Sequence, residues 1–567
     1  NGGTDQGTCG NAASVKFSVY TKAPPKQVLV ANRGGGGIGS RDATEAVAGL
    51  DVAEGLKAQL FSSEPDLLSL TNLDIDHRGR VWVCEVVNYR GNNGKRPAGD
   101  RILILEDTDG DGKCDKQKVY FQGKEVDSAM GICVLGNRLI VSCSPNVWVF
   151  TDEDGDDKPD KRELLFSKTG GAQHDHSAHS FIFGPDGKLY WNFGNTGKSV
   201  HDRNGKPVID VNGNTVVDNG KPYFGGMIFR CNVDGSEFEV LAHNFRNNYE
   251  VTVDSFGTLW QSDNDDDGNK AVRINYVMEH GNYGYRDERT GAGWKSKRTG
   301  MHDEVPLRHW HLRDPGVVPN LLQTGAGSPT GITVYEGRLL PKVFWDQVIH
   351  CDAGPNVTRA YPVTRQGAGY AATITNVLHG ARDNWFRPAD VCVAPDGSLF
   401  VSDWYDPGVG GHRQGDIDRG RLFRVAPDGS RYASPKFDFS TAKGAVSALT
   451  SPALSVRYMA WTALEAMDAR AENDLGQLAQ AKNPRHRARA LWLLARIEGK
   501  ASHYIQQAAA DTDVDIRVAS IRIARSLKQD TIPLLKQLVK DPSPQVRREC
   551  AIALRGHASD AAPALWA

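Results

Sequence analysis

The 567-residue chain is 40% hydrophobic and 24% charged, with a formal net charge of −2. That balance excludes a basic nucleic-acid-binding surface, and no apolar run approaches the roughly 20 residues that span a bilayer. The length calls for two or more domains, and 60 Gly with 12 Trp point to short aromatic strands joined by Gly turns, an all-β architecture.

Residues 1–50 read as an N-terminal extension ending in a Gly-rich linker, Gly34 to Gly37. Val28-Leu29-Val30 before it gives a superficial dinucleotide-binding match, but no βαβ unit follows. The chain starts at Asn1 without an initiator Met or a signal peptide and is read as processed or truncated. Over residues 51–435 a turn-then-strand unit recurs. Its instances are His77–Val83, Leu135–Val141, Gly184–Tyr190, Asp254–Trp260, a degraded Tyr335–Leu339, and Ala394–Phe400. Each is a tight turn, usually with Gly, followed by an apolar strand, so six units predict six propeller blades around a channel. Over residues 440–567 the pattern turns helical. Val456-Arg457, His486-Arg487, Ile516-Arg517 and Val546-Arg547 recur every 30 residues, each followed by a small residue: Ala460, Ala490, Ser520, Cys550. That is helix-pair solenoid grammar, similar to short HEAT repeats, and it makes Cys550 a packing residue. The fold class is therefore an all-β six-bladed propeller followed by an all-α HEAT-like repeat solenoid.

The nine Cys form no CxxC or CxxCH motif, so neither a zinc knuckle nor covalent haem is indicated. Cys84, Cys133, Cys143, Cys231, Cys351 and Cys392 lie in strand-like segments; buried thiols and disulfides both remain open. Two loops alternate carboxylates around a Gly turn: Asp107, Asp109, Asp111 and Asp115, then Asp152, Asp154, Asp156 and Asp160. Such oxygens suit Ca²⁺, or form a solvated hairpin. A third cluster, Asp263 to Asp267 with Asp265 and Asp266 at its centre, follows a blade strand and would place a cation at the channel mouth. His174, His176 and His179 cluster before blade three, where one His as general base is the simpler chemistry than zinc. Arg246-Asn247 and Arg387 enter blades four and six and would converge with them on a small polyanion.

These segments resemble soluble PQQ-dependent glucose/sorbosone dehydrogenases. The carriers are Asp175-His176 with Gly184–Tyr190, Arg246-Asn247, Gln261-Ser262-Asp263-Asn264, and Gly281-Asn282-Tyr283-Gly284-Tyr285. The resemblance implies His176 as catalytic base and Arg246 acting on quinone and substrate. It also implies Asn247, Gln261 and Arg387 as cofactor contacts, with Ca²⁺ held around Asp263, Asp265 and Asp266. From residue 51 to 567 the chain is still more similar to the membrane-bound-dehydrogenase-type propellers of planctomycete-type bacteria, which continue into HEAT repeats and a cytochrome c domain. Departures are a missing PQQ-contacting lysine near Val348–Cys351, Tyr249 in place of a substrate-side Gln, and no CxxCH acceptor.

The expected activity is PQQ-dependent oxidation of a sugar or polyol in the periplasm or outside the cell, with membrane association through a segment outside this chain. Glu85, Asn88, Tyr89, His179 and Tyr249 are expected substrate contacts. Electrons would leave to a cytochrome c, with the helical array as the surface expected to dock it or another protein partner. The alternatives are a metal-dependent glycan hydrolase or lyase on the same mouth, and a non-catalytic glycan- or protein-binding scaffold.

Overall fold

In the computed structural model the described residues are 39–266, 268–409, 414, 416–555 and 557. Asp267, Cys9, the Gly34–Gly37 linker and most of the N-terminal extension lie outside them. Six antiparallel sheets of at least four strands follow one another along the chain. Their innermost strands are Leu70–Ile75, Gly131–Leu135, Ala178–Phe183, Val251–Val253, Pro329–Tyr335 and Pro388–Val393, one for each of blades one to six. Blade six is completed by Lys57–Ser63 from the start of the propeller, which pairs with Arg421–Ala426. The first and last strands thus share one sheet, and the ring closes without a free edge.

Side chains alternate across each strand, so every blade buries one face on each neighbour. Trp82, Ile102 and Ile104 of blade one pack on Ile132, Val134 and Val141 of blade two. Val251, Val253 and Leu259 of blade four pack on Ile228 and Leu241 of blade three. All eight cysteines among the described residues are unpaired. Cys550 is buried, and burial pushes its thiol up to about 12.

One polar knot ties all six blades at the axis. The Asn72 side-chain amide lies 2.8 Å from Glu250 Oε1 and Ser180 Oγ and 2.7 Å from Asp390 Oδ2. The backbone N–H of Ile132 donates to Asn72 Oδ1, and that of Ile332 donates to Glu250 Oε2. Blades one to six each contribute one group.

The blade turns seen in the sequence all lie at one end of the propeller, and the helices pack on that end. Eight helices run from Ala442–Leu449 to Pro544–Leu554 among the described residues, an α-helical repeat region. Trp461 covers Gly187 of the blade-three turn, where a Cβ would sit 2.3 Å from the indole. Arg489 and Trp492 bond Ser255 of the blade-four turn. The degraded blade-five turn has a specific job: its buried Glu336 accepts from Arg457 of one helix and from Arg485 and Arg489 of another, Pro484–Leu494. Successive repeats are stapled by bidentate pairs, Arg487 to Asp511 and Arg517 to Asp541. Among the described residues no helix is long and apolar enough to cross a membrane.

Candidate active site at the open end of the channel

The opposite end carries the candidate residues, because the segments entering the inner strands and the ends of the second strands meet there. A single rule organises this rim. The second strand of four blades ends in Cys or Ser followed by an acid: Cys84-Glu85, Ser262-Asp263, Cys351-Asp352 and Ser402-Asp403. Each acid accepts backbone N–H groups of the segment entering its own blade. Glu85 takes Leu68, Asp263 takes Arg246 and Asn247, Asp352 takes Ser328, and Asp403 takes Arg387. In blades one, four and six the residue opposite the acid on the third strand is an arginine: Arg101, Arg273 and Arg421.

This rule corrects two expectations. Glu85 is fully buried and forms a bidentate pair with Arg101, with Arg96 2.6 Å away. Its carboxylate is thus committed to shaping the rim. Asn88 is likewise spent locally, on Arg96 and Asp127. Asp263 holds Arg246 and Asn247 through Oδ1 and the fully buried Arg273 through Oδ2, 2.7 Å from its NH2. Arg273 in turn lies 3.6 Å from the centre of the Trp310 ring. Arg387 is a third correction. Four main-chain carbonyls, of Ala353, Gly354, Asp406 and Pro407, take its guanidinium N–H groups. Of five N–H donors one is left, so no free fork faces the mouth to clamp carboxylates.

Blades three and four bring the reactive candidates together. His176 Nδ1 lies 2.7 Å from Asn195 Oδ1. That acceptor fixes the proton on Nδ1 and leaves Nε2 as a base. The Asn195 backbone N–H donates to the Arg246 carbonyl, and that of Thr196 to the His176 carbonyl. One short segment therefore holds His176 and Arg246 in register. Burial, then the Arg246 charge, lowers the His176 imidazole to about 4. Asp175 beside it is paired with Arg90; burial pushes its carboxyl up, but His176, Arg90 and His174 bring it below the usual range. Arg246 donates through Nε to Asp266 Oδ1 at 3.2 Å, and Trp294 Nε1 donates to Asp266 Oδ2 at 2.7 Å. Arg246 NH1 is buried and has no partner among the described residues.

Beneath lie His179, fully buried and stacked on Tyr249 with centroids 4.0 Å apart, and Tyr89. Burial lowers His179 to about 3. Among the described residues, buried Asn247 Oδ1, Gln261 Nε2 and Asn264 Oδ1 have no hydrogen-bond partner. An unsatisfied buried polar atom costs about 1–3 kcal/mol, so this concentration marks a place built to meet a polar ligand. Asp265 accepts from the Ala271 N–H. The two acidic loops lie far from the mouth, at the outer turns Asp107–Asp115 and Asp152–Asp160. Oxygens of Asp107, Asp109 and Asp115 lie within 4.8 Å of one another, as do those of Asp152, Asp154 and Asp156. Sequence reasoning missed Asn195, Trp294, Arg273 and the axial knot. Only the repeated Ser/Cys-acid ending was there to be seen.

The model of the family described as "Domain of unknown function (DUF7133)" matches residues 42–428, which is the whole propeller. The chain belongs to this family. No curated protein matches the DUF7133 chain. Among solved structures, the holo PQQ domain of a pyranose dehydrogenase from Coprinopsis cinerea is similar at 15% identity and TM-score 0.47, covering 66% of this chain and 97% of its own. The PQQ-bound aldose sugar dehydrogenase of Streptomyces coelicolor aligns at 15% identity and TM-score 0.44, over 66% and 100%. A Trichoderma reesei carbohydrate-active enzyme of family AA12 aligns at 14% and 0.45, over 67% and 98%.

Proposed function

We propose that this DUF7133 propeller oxidises a sugar or polyol at its open mouth, using PQQ with Ca²⁺. The carrying observation is the His176–Asn195–Arg246 arrangement: a base with its tautomer fixed, next to a guanidinium with a buried, unpartnered nitrogen. The quinone oxygens of PQQ would be met by two buried donors, Arg246 Nη1 and Gln261 Nε2. When bound, PQQ supplies an orthoquinone that accepts a hydride from the substrate carbon.

His176 Nε2 would take the hydroxyl proton of the substrate. Because its imidazole is held near 4, it is in the base form throughout the neutral range. Arg246 NH1 would stabilise charge that develops on oxygen beside it. Asn247 Oδ1 and Asn264 Oδ1, joined by a backbone bridge, are hard oxygen ligands suited to Ca²⁺, alongside the proposed acids Asp263, Asp265 and Asp266. His179, Tyr249 and Tyr89 would form the wall against which the sugar ring lies. A hydrolase on this mouth is disfavoured because the acid beside His176, Asp175, is held by Arg90. Electrons would pass to a cytochrome c. Since the helices occupy the far end, that partner is proposed to dock at the mouth, and the array to hold a different protein. A secreted or periplasmic location follows from this chemistry.

The test is a PQQ-dependent dye-reduction assay against neutral sugars. His176→Ala should lower turnover by about 10²–10⁴-fold without loss of PQQ binding. Equal turnover in His176→Ala and the parent would discard the assignment.

A further inference from the structure

Blade five breaks the rim rule. Opposite Asp352 stands Val357, and the arginine is displaced to Arg359, opposite His350. In blades one and four the corresponding arginine is locked onto its acid, and Arg421 of blade six reaches Glu64 and Asp383. Arg359 has no carboxylate within 4.0 Å among the described residues. It is 3% exposed, and its Nε and Nη1 have no hydrogen-bond partner among the described residues. Buried guanidinium N–H groups left unpaired are costly to a fold unless a ligand meets them.

Its surroundings are donor-rich. By strand alternation Arg359, His350 and Asp352 share the face of Val348 and Tyr361, and that face packs on Trp260 and Ile274 of blade four. His350 is fully buried, with Nδ1 3.2 Å from the Tyr361 hydroxyl and Nε2 unpartnered. The Tyr361 hydroxyl lies beside the Arg359 guanidinium. Donation from Arg359 to Tyr361 and on to His350 Nδ1 leaves the His350 Nε2–H pointing outward as a donor. Two residues along from Trp260, on the same face, the Ser262 hydroxyl is buried and unpartnered as well. Against these donors stands one acceptor, Asp352 Oδ2. Arg359 makes no ion pair with it within 4.0 Å: its charge lowers the Asp352 carboxyl, but burial outweighs that and drives the group up to about 6.

We propose that Arg359, with His350 Nε2 and Ser262, forms an anion site in the cleft between blades four and five, just below the mouth. Its ligand is a carboxylate of a molecule bound at the mouth, or a small free anion. The first source rests on the proposed function, where Arg359 would hold the cofactor carboxylate that Arg387 does not. The anion site itself does not rest on it.

Crystals of the full chain soaked in bromide, read by anomalous scattering, test the site directly. A bromide in contact with Arg359 in the parent, absent in Arg359→Gln, is expected. No anomalous density at Arg359, with bromide bound elsewhere on the same molecule, would overturn the proposal without any variant having to fold. Absorbance titration of the calcium-loaded protein with PQQ then separates the sources. If the anion is a cofactor carboxylate, Arg359→Gln weakens binding about tenfold or more, Arg359→Lys less, and PQQ displaces the bromide. Equal PQQ affinity in parent and Arg359→Gln would reject the carboxylate source and leave the sugar-oxidation reading standing. No PQQ binding by the parent would defeat that reading, with the bromide result still deciding Arg359.

Discussion

Asn195 gives His176 a hydrogen-bond acceptor without a charge. The imidazole keeps its tautomer but gains no counter-ion, so burial and Arg246 hold it at about 4. An imidazole lowered in this way remains a base far into acid. The acid limb of kcat/KM should therefore fall near pH 4, well below the roughly 6.5 of a free histidine. Asn195→Asp puts a carboxylate on the same nitrogen and should move that limb upward, toward neutrality. A pH–rate profile of both proteins checks this, and a limb unmoved in Asn195→Asp would remove Asn195 from its positioning role. Asp175 already pulls the imidazole upward, but burial and Arg246 outweigh it, and its carboxylate is shared with Arg90.

At the scale of elements, the blade-five turn and the repeat helices are one electrostatic unit. Glu336 is the shared partner of Arg457, Arg485 and Arg489, all buried. Glu336→Ala strands three guanidinium groups and should cost about 3–5 kcal/mol, read by calorimetry as a lowered unfolding temperature. A change within experimental scatter would mean the helices dock by apolar contact alone. The same turn shows what was legible beforehand. Five blade turns stood out through tight turn residues, and the fifth read as degraded because Glu336 serves the helices instead. The 30-residue Arg spacing was equally open to reading, since the Arg487–Asp511 and Arg517–Asp541 staples repeat it. The rim acids were visible, but their shared structural place was not: Glu85 and Asp263 occupy equivalent slots opposite Arg101 and Arg273. Their arginines were hidden because the separation varies with loop length, sixteen residues for Glu85–Arg101 and ten for Asp263–Arg273. Arg387 looked free because nothing local in the sequence shows which carbonyls a fold will bring to it.

On the scale of the whole molecule, the axial knot binds all six blades through two buried acids, Glu250 and Asp390. Burial raises Glu250 to about 7 and Asp390 well above the ordinary range. Two such carboxyls share a proton. A carboxyl raised on folding contributes stability that is complete below its unfolded value near 4.3 and is lost as pH rises through about 7. The unfolding temperature should fall as pH rises from about 4.3 to about 7, and Glu250→Gln, which keeps a neutral side chain, should flatten that fall; identical curves would contradict a protonated knot. The knot crosses the axis and the helices pack on the far end, so the proposed ligand entry is at the rim that carries Arg246 and His176. The decisive measurement is an absorbance titration of the calcium-loaded protein with PQQ, with dye reduction by neutral sugars recorded on the same sample. Stoichiometric binding with sugar-dependent reduction that vanishes in His176→Ala is the expected result. No binding at micromolar PQQ, or reduction untouched by His176→Ala, would contradict the proposed function.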